Sequence, residues 1–128
     1  MDDKTPPPAG GAYAAVSLSD VIADLKTKAA GDAGRAAHTL FGGRDHRLRQ
    51  TVIVMRGGHE LSEHESPGDA ALHVLEGSVS LHWADDGTAA LSAGQVMAIP
   101  LHRHSLTAEE DSVVVLTVAL HNDWSGQE

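Results

Sequence analysis

From Arg35 onward the chain is written in short strand-like runs separated by turn signals, and this pattern most constrains its fold. Leu48, Gln50, Val52 and Val54 alternate with Arg47, Arg49, Thr51 and Ile53, the two-residue period of an extended strand. Gly57 and Gly58 break that run. Further strand-like segments fall near 59–63, 70–76, 78–84, 88–92, 95–99 and 102–108, with Asp85-Asp86-Gly87 as a turn signal among them. Val113 to Leu120 is an apolar run interrupted only by Thr117, suited to a strand buried on both faces. Many short strands at regular turn spacing predict an all-β sandwich or barrel, and no internal repeat suggests a tandem pair.

The region before Arg35 differs. Pro6, Pro7 and Pro8 followed by Gly10 and Gly11 oppose helix and sheet, so residues 1–16 are expected to be a flexible tail. Ser17 offers an N-cap, with Asp20 three residues on in a capping-box-like position. Leu18, Val21, Ile22, Leu25 and Ala29 fall on one helical face, which predicts a packing helix that ends near Gly31. The expected organisation is a helix and link over 17–34, one barrel over 35–122 and a C-terminal tail over 123–128.

Composition narrows the function classes. Lys and Arg total 9 against 18 Asp and Glu, a net charge of -9. That charge repels phosphate backbones and anionic membrane surfaces, so neither nucleic acid nor membrane is an expected partner. There is no cysteine, which excludes disulfides and thiolate metal ligands. The start, MDDKTPPPAGG, lacks the basic and apolar order of a secretory signal, and a cytoplasmic location is expected. Four aromatic residues of the Phe, Trp and Tyr type make no stacking platform for bases or sugars. No nucleophilic triad or phosphate-binding glycine loop is recognisable.

Two glycine-anchored motifs remain. Gly58 is followed after five residues by His64, then Ser66, Ala70 and, six residues on, Gly77 at the end of Val74-Leu75-Glu76-Gly77. Gly94 is followed after five residues by Pro100, and then by His104. These spacings resemble the cupin motifs G-x5-H-x-H-x3-E-x6-G and G-x5-P-x-G-x2-H, over roughly residues 47–120. The resemblance implies a cupin-type double-stranded β-helix barrel with one N-terminal α-helix, commonly paired as a homodimer, with Ala71, His73 and Leu75 as candidate contact positions. In the family, two histidines and a glutamate of the first motif and the histidine of the second bind one metal. Here His64 keeps the first slot, but Ser66 and Ala70 replace the second histidine and the glutamate. Alanine cannot ligate, and a serine hydroxyl is a poor ligand for Zn, Fe or Ni. His104 also lies one residue nearer to Pro100 than the motif places it, and His102 takes the motif glycine's place.

Nine histidines, six of them between His59 and His104, leave two readings open. In the first, a metal-free pocket binds a small molecule through Gln50, His64 and His104. In the second, His64, His104 and His102 rebuild a site for a divalent transition metal (Zn, Ni, Mn or Fe) in an enzyme of dioxygenase or isomerase type. Glu63, Glu65 and His59 are further donors close in sequence, with His59 of the wrong strand parity. His73 is expected on the outer face if position 70 faces inward. His38, His46, His82 and His121 lack ligand spacing and read as structural. Arg49 and Arg103 could grip an anion but read as surface charges.

Overall fold

The structure, a computed structural model, describes residues 13–31, 33–43, 46–66 and 68–120. The C-terminal tail expected over 123–128 and most of the N-terminal tail therefore lie outside the described residues, as does His121. One helix, α1 (Leu18–Ala29), precedes nine strands: β1 (Arg35–Phe41), β2 (Leu48–Met55), β3 (Glu60–His64), β4 (Gly68–Glu76), β5 (Ser78–Trp83), β6 (Gly87–Ser92), β7 (Val96–Ala98), β8 (His104–Ala108) and β9 (Ser112–Leu120). Every strand run seen in the sequence is present.

The helix starts as the cap predicts, with the Ser17 hydroxyl accepting from the Asp20 amide at 3.3 Å. Asp20 sits in the first turn and Lys26 and Lys28 in the last, both favourable to the helix dipole. Its apolar face, led by the buried Leu25 and Ala29, packs on Val52, Val54, Val113 and Val115.

The strands form two sheets. One has the order β1-β2-β9-β4-β7 and the other β3-β8-β5-β6, with antiparallel pairing throughout. The two sheets face each other across the main core of Ile53, Met55, Leu72, Val74, Val79, Leu81, Leu91, Leu106 and Val114. Strand parity then assigns the faces. On β2, Ile53 and Met55 face the second sheet, while Val52 and Val54 lie under the helix. On β4, Ala70, Leu72 and Val74 face inward.

The connections sort to two ends. The β1–β2, β3–β4, β5–β6 and β7–β8 connections share one end. The β2–β3, β4–β5, β6–β7 and β8–β9 connections share the other. At the latter, Gly77 (φ 83°) makes the β4–β5 turn with no room for a side chain, since a Cβ there would overlap Asp111 O and Ser112 Oγ.

Candidate functional site: a histidine pair at one end of the sandwich

His64 closes β3 and His104 opens β8, so both stand at the first of these ends. They are directly paired across the two strands, and their rings lie 4.5 Å apart between centroids at 62°. A bulge makes this possible. Leu61 pairs with Leu106 and His64 with His104, so three steps on β3 match two on β8. Leu61 packs against the main core. Plain alternation would send His64 outward, and the extra residue restores it to the inner face.

The two imidazoles are held alike. His64 Nδ1 donates to Ser62 O at 2.9 Å, and His104 Nδ1 donates to His102 O at 2.9 Å. A carbonyl only accepts, so each ring carries a proton on Nδ1, and in the neutral form of the ring Nε2 is the acceptor. Neither Nε2 has a partner among the described residues. For His64, exposed to solvent, that costs nothing. For His104, only 3% exposed, it leaves a buried acceptor unpaired. A salt bridge spans the same strand end: Arg103 Nε lies 3.3 Å from Glu63 Oε1, and Arg103 Nη2 donates to Glu63 O at 3.4 Å. Each partner is the chain neighbour of one of the two histidines.

Trp83, which no sequence motif singles out, stands in register with the pair. It ends β5 and pairs with His104 on β8, which pairs with His64 on β3. Three ring side chains thus stand abreast on adjacent strands, Trp83, His104 and His64. The indole lies over Gly87, where a Cβ would overlap it, and its Nε1–H has no partner among the described residues. Its one sequence signal was its place just before the Asp85-Asp86-Gly87 turn. Glu65, Ser66, Leu101 and His102, from the same two connections, line a small cleft of about 200 Å³ that neither His64 nor His104 lines.

Other candidates stand elsewhere. Gln50 shares the parity of Val52 and Val54, so it lies on the helix-side face and not between the sheets. Its Nε2 donates to Thr117 Oγ1 at 3.0 Å, on the neighbouring strand. The structure therefore does not bring Gln50 to the histidines. His102 is exposed and precedes β8, because its amide bonds back to Pro100 O at 2.8 Å and bends the chain. Its carbonyl, and not its ring, serves His104. His73 is exposed on the outer face, as parity requires. Leu75, expected at a contact between copies, is already packed against the helix cluster. His59 lies at the opposite end, over Gly34. Arg49 has the inward parity of Ile53 at the rim, its stem against Gly42.

The metal implied by the motif resemblance finds only part of its donor set. Ala70 turns a methyl into the main core where the family carboxylate would stand. Among the described residues no group of three or more His, Cys, Asp or Glu side chains is placed to hold an ion. Two nitrogens alone fall short of the three or four protein ligands of ordinary catalytic and structural sites, so the four-ligand centre does not fit.

No family model and no curated protein matches the sequence. Solved structures do. A conserved protein of unknown function from Streptococcus pyogenes superposes with a TM-score of 0.64 at 29% identity, covering 73% of this chain and 80% of that one. A cupin superfamily protein from Desulfitobacterium hafniense gives 0.62 at 16% identity, covering 94% and 95%. A cupin-2 domain containing protein from Shewanella frigidimarina gives 0.61 at 17%, covering 81% and 93%. With its two facing sheets and the motif glycines at their turns, the chain has the cupin fold. No helix is long and apolar enough to cross a membrane, among the described residues.

Proposed function

We propose that the protein binds a small molecule directly at the His64–His104 end, without a resident metal. The observation that carries this is the buried His104 ring, whose Nε2 lacks a partner among the described residues. An unpaired buried acceptor costs roughly 1–3 kcal/mol, so its retention is explained by a ligand hydrogen that completes it. Metal analysis of protein made without a histidine tag tests the reading. Close to one transition metal per chain overturns it.

One observation favours the second reading, a divalent metal (Zn, Ni, Mn or Fe) in an enzyme of dioxygenase or isomerase type. Both imidazoles donate Nδ1–H to a backbone carbonyl, an arrangement typical of metal-ligating histidines. On that reading, metal at a hundredfold excess over its dissociation constant raises stability by about 2.7 kcal/mol, and His64→Ala or His104→Ala removes most of the gain. On the first reading, the melting temperature is indifferent to Zn, Ni and Mn.

The protein is further proposed to act in the cytoplasm as a homodimer. Supporting this, β7 is a three-residue edge strand whose Val96 is 63% exposed beside the exposed His73. Sedimentation that shows only monomer at micromolar concentration rejects the dimer.

A further inference from the structure

We infer that a groove at the other end of the sandwich from the histidines binds a free amino acid with an apolar side chain, its carboxylate on Arg56 and its ammonium on Asp111. This site is independent of the reading proposed for the His64–His104 end. The groove, of about 350 Å³, lies between the last turn of α1, the ends of β2 and β4 and the start of β9. Its apolar wall is Ala29, Val54 and Val113, none more than 5% exposed, which belong to the cluster under the helix. Four ionisable side chains line it as well: Lys26, Arg56, Glu76 and Asp111. Lys26 and Glu76 neutralise each other, with Nζ 2.8 Å from Oε1. Asp111 Oδ1 accepts from the Gly57 amide at 2.8 Å, which fixes the carboxylate and leaves Oδ2 without a partner among the described residues. The Arg56 guanidinium has no partner among them either, since only its backbone is engaged, by Gly34 O and the His59 amide.

These open groups set the chemistry. The four lining charges balance, so a lone anion on Arg56 would share the groove with an uncompensated Asp111, and a lone cation on Asp111 with an uncompensated Arg56. A zwitterion answers both. Arg56 offers the planar fork that grips a carboxylate. Asp111 Oδ2 can accept from an ammonium, and the carbonyl end of α1, which lines the same groove through Ala29 and Ala30, favours positive charge. The charges just outside the groove are engaged elsewhere: Lys28 by Asp24, Arg35 by Glu60 O, and Glu110 by Ser78 Oγ. A volume of about 350 Å³ stands at the lower end of small-molecule pockets and suits one amino acid. The wall of Ala29, Val54 and Val113 rewards an aliphatic side chain over a polar one.

The test titrates four probes into the full chain by calorimetry: L-leucine; 4-methylpentanoate, which is leucine without the ammonium; 3-methylbutylamine, which is leucine without the carboxylate; and L-serine, with a polar side chain. The expected result is saturable binding of L-leucine at one site per chain. Each of the other three should bind at least about tenfold more weakly, the equivalent of one lost charged hydrogen bond or of the lost apolar contact. Two variants assign the ends of the ligand. Arg56→Gln should weaken L-leucine about tenfold and leave 3-methylbutylamine unchanged. Asp111→Asn keeps an oxygen for the Gly57 amide and removes the charge, so it should weaken L-leucine and leave 4-methylpentanoate no weaker. Equal binding of 4-methylpentanoate overturns the ammonium contact, and equal binding of 3-methylbutylamine overturns the carboxylate contact. Equal binding of L-serine overturns the apolar requirement. Binding of L-leucine that neither variant alters places it outside this groove, and no saturable binding of L-leucine overturns the site.

Discussion

Among the described residues only two polar side chains are buried, and they stand at opposite ends of the sandwich. Ser112, 2% exposed, begins β9. Its hydroxyl accepts from the Ser78 amide at 3.1 Å and shares its one proton between the carbonyls of Ser78 (3.0 Å) and Glu110 (2.7 Å). Nothing on it is left over. His104, 3% exposed, uses one ring nitrogen and leaves the other free. The first residue is a staple between β9 and the β4–β5 turn. The second carries a cost that folding alone does not recover. A satisfied buried polar group marks structure, and an unsatisfied one marks a place where something else is expected to arrive.

This contrast can be broken by substitution, with unfolding in urea as the common measure. The largest effect should come at the Ser112 end. Gly77→Ala puts a side chain into a left-handed backbone and against Asp111 O and Ser112 Oγ, and should cost on the order of 3 kcal/mol. Ser112→Ala leaves the Ser78 amide without its acceptor and should cost roughly 1–3 kcal/mol. A loss as small as that of an exposed site would remove Ser112 as a staple. At the other end, Arg103→Ala should cost less than about 1 kcal/mol, since its pair with Glu63 is exposed. The smallest effect is expected for the buried residue itself. His104→Leu removes an unpaired acceptor and one hydrogen bond, and should change stability by less than about 1 kcal/mol in either direction. A loss comparable to that of Ser112→Ala would make His104 structural and dissolve the contrast.

The sequence carried much of the fold and part of the site. The Ser17 cap, the helical face through Leu25 and the run of strands were legible because each rests on local chemistry. Gln50 was misplaced because β2 is buried on both faces from Val52 to Met55. Alternation tells which residues share a face, but a strand covered by a helix on one side and a sheet on the other hides which face looks inward. The sequence pattern puts His102 in an extended strand with His104, and the backbone bond to Pro100 O bends it out. The approach of His64 to His104 is what the resemblance to the cupin motifs implies. The bulge that produces it was not, because one unpaired residue leaves no mark in a five-residue strand. Trp83 needed the register between β5 and β8, a long-range fact.

That bulge has a further effect, on solubility. β3 is one of the two edges of its sheet among the described residues, where unpaired amides and carbonyls could recruit the strand of another molecule. An interruption between Leu61 and His64 spoils the regular spacing that such a recruit would need. The distortion that turns His64 towards its partner therefore also guards this border against end-to-end growth of the sheet. Straightening it by deleting one residue there would remove both at once, leaving a longer, smoother border prone to fibre-like assembly.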